Sequence, residues 1–302
     1  MSYEPGAEGH RILFVCNPAS GGSDDRTRVR IADALRRGGP LTVLEPSSHE
    51  AFSREVREAS ESVDLVVVGG GDGTFGDAVN ALSDRLDQLL LALVPMGTGN
   101  DLARSLGLPR EPDEAAAALL HADEIELDVG RATGSGVNKL FVNACAGGLP
   151  VAVNEAVSPG VKTFLGPLAF WVAGVKGLAR AERFTAIVDD REIPGCLVAG
   201  VGNGKTCGGG SMLWPQADPS DGLLDSCAIA VTGPASGIEV LKRTRDGSLA
   251  ESRQATFSRA NEITLDAEPQ IELNVDGDLV GLRTPATFAV ATRARVLVPR
   301  RG

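Results

Sequence analysis

An α/β protein is expected, with a mostly parallel, three-layer α/β domain at the N-terminus and an antiparallel, β-sandwich-like domain after it. Two changes of pattern predict this. Up to about residue 128, short β-branched runs alternate with helical spacing, and beyond about 130 apolar residues recur at period two. The runs at 11–16, 41–45, 64–69 and 90–94 are nearly all apolar and stop at Gly, Pro or Asn, which reads as strands buried on both faces. Phe75, Val79 and Leu82 fall at helical spacing between them, as do Leu102 and Leu106. In the second half, Ile263 and Leu265, then Ile271, Leu273 and Val275, then Phe288 and Val290 alternate with other side chains, marking half-buried antiparallel strands. A helical insert is expected at 168–178, opened by Gly166 and Pro167. The boundary is placed at residues 1–130 and 131–292, with 293–302 as a last strand that returns to the first domain. The cleft between two such domains is the expected site.

The composition narrows the function. The 302 residues carry 29 Lys plus Arg against 40 Asp plus Glu, a net charge of −11, which argues against broad nucleic-acid binding. Cys16, Cys145, Cys196, Cys207 and Cys227 are scattered without a CxxC pair, so neither a disulfide framework nor structural zinc is expected. The first ten residues lack a basic patch followed by an apolar run, and a cytoplasmic location is expected from that. The longest apolar candidate, 161–178, is interrupted by Lys162, Gly166, Pro167, Gly174 and Lys176, so no transmembrane segment is expected.

Three small, polar, glycine-bearing loops follow three of the predicted strands. After the third strand comes GGGDGTF at 69–75, where three successive glycines, Gly69, Gly70 and Gly71, let the backbone approach a ligand and accept positive φ, and the helix start beyond offers N–H groups to phosphate, with Gly70, Gly71 and Gly73 as candidate contacts. It has neither a Walker GK[ST] ending nor a GxGxxG spacing. Asp72, a carboxylate beside an anion site, makes chemical sense if it orients Mg²⁺ or a basic partner. Asn17, Pro18, Ala19, Ser20 and Gly21 follow the first strand, and Gly97 and Thr98 follow the fourth. Together the three loops form a phosphate cradle using backbone N–H groups and the side chains of Asn17, Ser20, Thr74 and Thr98. Singly, each has a plainer reading: a strand-to-helix turn at 69–73, a turn at 17–22, a helix cap at Asn100.

The ordered set of motifs resembles the diacylglycerol kinase catalytic-domain family, which includes bacterial lipid kinases, sphingosine kinases and ceramide kinases. The match runs through GGGDGTF, the loop at 17–22, PMGTGNDLARSLGL (95–108), ELDVG (126–130), FVNACAGGL (141–149), LGPLAFW (165–171), VGNGKTCGGGSMLWPQADPSDGLLD (201–225) and NVDGDLVG (274–281). The resemblance implies a first domain like those of NAD kinases and phosphofructokinases, and an ATP- and Mg²⁺-dependent kinase acting on a lipid hydroxyl, diacylglycerol first. It places ATP along 17–21, along 71–77 including Asp77, and at Thr98. It makes Asp72, Asp101 and Asp128, with Arg104, a network around the catalytic Mg²⁺, although Asp101 and Arg104 also suit a helix N-terminus and an i,i+3 pair. It makes Asp278 the proton acceptor, assisted by Asp276, while Asp-Gly at 276–277 also reads as a hairpin turn. Asp218 and Leu223 through their carbonyls, and Asp221 through its carboxylate, would hold a structural Mg²⁺ or Ca²⁺, or form an acidic turn without one.

The chain departs from the family pattern at Gly22, where a basic residue is usual and Arg26 is a substitute, at Asp77 and Asp278, where Glu is usual, and at Pro46, near the place of a nucleotide-contacting Thr. The expected partner is a lipid at the membrane surface, met peripherally, with Trp171 and Trp214 as candidates for the interface and a homodimer left open. Segment 161–178 reads more often as a buried helix, and that reading is slightly preferred. Competing readings are a soluble-metabolite kinase of NAD type and a non-catalytic lipid- or nucleotide-binding regulator.

Overall fold

The computed structural model describes residues 10–16, 25–148 and 182–300. They fall into two compact units, one running to Leu127 and resuming at Thr292, the other Asp128–Ala291. The loop at 17–22 and the segment 161–178, with its expected helix and Trp171, lie outside the described residues.

The first unit alternates strand and helix: β1 (Ile12–Cys16), α1 (Asp25–Leu35), β2 (Leu41–Leu44), α2 (His49–Ser60), β3 (Leu65–Gly70), α3 (Asp72–Ala81), β4 (Leu90–Pro95), α4 (Asp101–Ser105) and α5 (Pro112–Ala118). The strands are parallel in the order β2-β1-β3-β4. Ile12, Phe14, Cys16, Leu65, Val67, Leu90, Ala92 and Val94 bury one face with Ile31 and Leu35 of α1 and Ala116 of α5. Leu13, Val15, Val66, Val68, Leu91 and Leu93 are equally buried on the other face. Apolar runs without alternation follow from that double cover. β2 departs from the expectation of a buried strand: Val43 is 45% exposed, because β2 ends the order and only β1 pairs with it among the described residues. The order reverses between β1 and β3, which puts the carboxyl ends of β1, β3 and β4 where such sheets bind ligands.

β5 (Ala122–Gly134) carries the chain out of this unit, and β17 (Ala286–Pro299) brings it back. Arg295 and Val296 of β17 pair in parallel with Leu90 and Leu91. Arg295 clamps Glu124 through two N–H···O bonds of 2.7 and 2.9 Å, and Arg293 reaches Glu126 at 2.8 Å.

The second unit is antiparallel and β-rich. Its strands are β6 (Val137–Phe141), β7 (Ala144–Gly148), β8 (Phe184–Val188), β9 (Arg191–Gly202), β10 (Thr206–Cys207), β11 (Ser211–Met212), β12 (Leu224–Ala230), β13 (Ala255–Ala260), β14 (Glu262–Glu268), β15 (Glu272–Val275) and β16 (Asp278–Arg283), together with the first part of β17. β9 is the hub, pairing with β8 over its first half and with β7 and β12 over its second. The period-two residues Ile263, Leu265, Leu273, Val275 and Phe288 lie in one core with Phe141 and Phe184. A helix that the periodicity did not announce, α6 (Pro234–Asp246), starts at Pro234 and ends on Gly247 in the left-handed region. Its buried residues are Gly237, Val240 and Thr244, a stripe too small and too polar to register as an apolar face.

Phe141 and Phe288 meet edge to face with ring centroids 6.1 Å apart, and both are fully buried. Phe288→Ala is expected to cost about 3–5 kcal/mol, read as a lower urea midpoint of the transition that melts the second unit.

Candidate functional site

Two glycine turns at the carboxyl ends of β3 and β4 touch backbone to backbone. A Cβ on Gly97 would stand 2.6 Å from the Gly71 Cα and 2.9 Å from the Asn100 Oδ1, and one on Gly70 would meet the Thr74 side chain at 2.6 Å. None of Gly69, Gly70, Gly71, Gly73, Gly97 or Gly99 has a positive φ; Gly71, for example, sits at φ −98°. The expectation that the glycines of the β3 turn accept positive φ is therefore corrected: Gly69, Gly70 and Gly97 are required by close approach, and a Cβ on Gly71 would sit 3.3 Å from its nearest neighbour. The left-handed residue is Asn100, at φ 52°.

Asn100 occupies the position before α4, yet its side chain does not cap the helix. It closes the β4 turn instead, accepting from the Gly97 N–H at 2.9 Å and donating to the Gly97 carbonyl at 2.7 Å. The capping comes from Asp72, whose two carboxylate oxygens accept the N–H groups of Asp101 and Leu102, each at 2.9 Å. One carboxylate thus ties the β3 turn to the helix after β4, satisfying two of the donors that a helix start leaves unpaired. It also stands in the first turn of α3, where negative charge is favoured. Gly71 stands at the N-cap of α3 and has no side chain to offer the N–H groups of the first turn.

The other expected residues of this unit spread around that knot. Asp101 is 4% exposed and joined to Asp72 through its N–H. Arg104 is exposed and donates to the Gly99 carbonyl at 3.3 Å. Thr74 and Asp77 are half-buried on α3, Thr98 is exposed, and Arg26 lies exposed on α1. Asn17, Pro18, Ala19, Ser20, Gly21 and Gly22 lie outside the described residues.

In the second unit, Asp276 and Gly277 form a two-residue turn between β15 and β16, with φ of 50° and 94° and Val275 opposite Asp278. The turn leaves Asp278 exposed and drives Asp276 inward. The buried Asp276 carboxylate accepts three backbone N–H groups, from Val142 at 2.9 Å, Asn143 at 2.8 Å and Ala144 at 3.1 Å. Burial pushes its pKa up to about 6, against the pull of those three donors and of Lys139, and Cys145 is its buried neighbour on β7. Past Leu279, β16 bulges against Leu273 and Asn274, with Gly281 left-handed at φ 78°.

Asp128 is fully buried, and its carboxylate accepts the Gly222 N–H while its own N–H reaches the Pro219 carbonyl at 2.7 Å. The expected ligands Asp218, Asp221 and Leu223 surround that same turn. Asp218 accepts from Ser220, and Asp221 accepts the Leu223 N–H at 3.0 Å and pairs with the Arg259 guanidinium, which also lies 3.4 Å from the buried Asp225. Arg259 thus already supplies positive charge to Asp221, and a cation there would compete with it. No cluster of three His, Cys, Asp or Glu side chains suited to one ion occurs among the described residues. Trp214 is 1% exposed and packed beneath Gly202, which removes it from any membrane contact. No helix among the described residues is long and apolar enough to cross a membrane.

Sequence reasoning gave Asn143 and Asn203 no role. Both are buried, and both hold the chain where Asp276 grips it. The available signal was an asparagine set in an otherwise apolar buried run, FVNAC, where an amide has to be spent on backbone.

Comparison with known proteins gives matches across both units. The family model described as diacylglycerol kinase catalytic domain matches residues 11–132, and that described as YegS C-terminal NAD kinase beta sandwich-like domain matches 143–298. A protein of Stenotrophomonas maltophilia named probable lipid kinase YegS-like is 33% identical over 298 residues, 96% of each chain. The diacylglycerol kinase of Bacillus subtilis is 28% identical over 96% of this chain and 97% of its own. A crystal structure of a diacylglycerol kinase from Bacillus anthracis superposes with a TM-score of 0.71 at 22% identity, covering 97% and 98% of the two chains. A second solved structure from that organism reaches a TM-score of 0.78 at 26% identity and 95% of both. The α/β first domain and the β-sandwich-like second domain are those of this group.

Gly97→Ala is expected to destabilise the first unit by about 1–3 kcal/mol, and Gly71→Ala by less, because its new Cβ would stand 3.3 Å from its nearest neighbour; thermal melts give the ranking, and the reverse order contradicts the contact. Asp276 has its own pH signature. Its folded pKa of about 6 lies above the ordinary carboxyl value, so the folded state holds the extra proton and stability falls as pH rises through about 4 to 6, then levels off. The stability of wild type minus that of Asp276→Asn should drop by about 2–3 kcal/mol across that window, and a flat difference contradicts the assignment.

Proposed function

The chain belongs to the diacylglycerol kinase catalytic-domain family, and from that premise we propose that it is an ATP-dependent lipid kinase whose preferred acceptor is diacylglycerol. The observation that carries the nucleotide half is the convergence of the Gly71 and Gly97 turns, locked by the Asp72 carboxylate on the start of α4. Side-chain-free backbone and the open first turn of α3 suit the phosphates, with Gly70, Gly71, Gly73, Thr74, Asp77, Gly97 and Thr98 as the contacts, joined by Asn17, Pro18, Ala19, Ser20 and Gly21. Names of relatives, lipid kinase and diacylglycerol kinase, support the acceptor half.

Phosphoryl transfer asks the protein for positioning and charge neutralisation more than for covalent chemistry. Both Asp72 oxygens already accept an N–H, which fits contact with a hydrated Mg²⁺ through water; Asp101, Asp128 and Arg104 complete the proposed network. When bound, Mg²⁺ neutralises charge on the β- and γ-phosphates. Asp278, exposed on the 276–277 turn, takes the proton of the lipid hydroxyl as its oxygen bonds to the γ-phosphorus and the bond to the β-phosphate oxygen breaks, releasing ADP. Asp276, spent on three backbone N–H groups, holds the turn and does not share that proton transfer.

Transfer of label from γ-labelled ATP to diacylglycerol in mixed micelles tests the reading, with ceramide, sphingoid base, polyprenol and NAD as rival acceptors. Asp278→Ala should lower kcat by about 10²–10⁴-fold and leave the KM for ATP near wild type. Turnover of NAD with every lipid inert would select the soluble-metabolite kinase, and nucleotide binding without turnover a regulator.

A further inference from the structure

Asn203 follows β9 and is 1% exposed. Its single Nδ2 donates to two carbonyls, those of Asp128 and Val142, each at 2.8 Å. Its own N–H and that of Gly204 both donate to the Asn143 carbonyl, at 2.7 and 2.9 Å. The segment 142–144 is therefore gripped from two sides: its N–H groups by the Asp276 carboxylate, and the Val142 and Asn143 carbonyls by Asn203 and Gly204, while the Ala144 carbonyl accepts the Asp276 N–H at 2.9 Å. Asp128, the other residue held by Asn203, has its carboxylate on the Gly222 N–H and its N–H on the Pro219 carbonyl. One amide thus links the turn that presents Asp278, the Asp128 backbone and the 219–222 turn.

The chemistry at 203 admits few substitutes. Two buried carbonyls need two donors from one neutral group, which an amide NH₂ provides. Aspartate would set a carboxylate against both carbonyls, and alanine would take both donors out of a buried site. Among the described residues the Asn203 Oδ1 meets no donor, and the side chain's hydrogen bonds are those of its NH₂.

We propose that Asn203 is a positioning residue for phosphoryl transfer, setting the 142–144 corner on which Asp276 fixes the turn that carries Asp278. This rests on the lipid kinase reading above. In Asn203→Ala, kcat should fall by about 100-fold while the KM for ATP stays within about twofold, because the nucleotide loops belong to the other unit. With the N–H groups of 142–144 less well aimed, the acid limb of the kcat–pH profile should move to higher pH, since those donors oppose the rise in the pKa of Asp276, whose protonation loosens its hold on the turn that carries Asp278. Amide exchange at 142–144 should quicken in the full chain without substrate, and Asn203→Gln, which keeps both donors, should recover part of the rate. Where Asn203→Ala does not fold, Asn203→Ser keeps one donor and takes its place in the same measurements. A folded variant with wild-type kcat, acid limb and exchange overturns the proposal, as does a rate loss that only follows the folded fraction. A wild-type protein inert towards every lipid fails the kinase reading itself, and the role of Asn203 in catalysis with it.

Discussion

The Asp72 carboxylate on the N-terminus of α4 is the constraint on which the paired glycine turns depend. Turns from adjacent parallel strands diverge unless something draws them together, and side chains normally hold them apart. Here Gly71 and Gly97 remove the side chains and Asp72 supplies the bond, through two hydrogen bonds to charged oxygens in a partly buried setting. The same carboxylate stands at two helix starts, in the first turn of α3 and on the first N–H groups of α4, where negative charge is favoured. Asn100 then fixes the path of the β4 turn, which accounts for a left-handed asparagine where a helix begins.

A second carboxylate organises the β-rich unit by similar means. Asp276 turns into the protein at the 276–277 turn, where both residues have positive φ, and uses its oxygens on three successive N–H groups, of Val142, Asn143 and Ala144, where β6 gives way to β7. Its neighbour Asp278 is left outside. Two aspartates two residues apart thus receive different environments from one turn, one buried and spent on backbone, the other exposed. Asn203 and Asp128 extend that scaffold to the 219–222 turn, where Arg259 faces Asp221 and Asp225; burial raises the Asp225 pKa and Arg259 opposes the rise.

Architecture was largely legible in the residues, because apolar runs covered on both faces and period-two strands leave different patterns. Where the reading slipped, the pattern carried no information. β2 has the composition of its neighbours, and only its place at the end of the order exposes Val43. α6 packs through Gly237, Val240 and Thr244, which no hydrophobic period distinguishes. Trp214 looked suited to an interface, and burial beneath Gly202 depends on a contact 12 residues away in the chain. At the site, glycine turns and carboxylates were visible as residue types at sensible spacings. Their partners were not: that Asp72 would cap α4, and Asn203 would join Asp128 to Val142, are long-range hydrogen bonds that local spacing does not encode.

Amide hydrogen exchange of the full chain, with and without Mg-ATP, tests most directly the claim that the Asp72-locked glycine turns hold the nucleotide. Slowed exchange concentrated at 70–75 and 97–102 is the predicted result. Saturating nucleotide that leaves those two stretches unchanged while protecting others would contradict it.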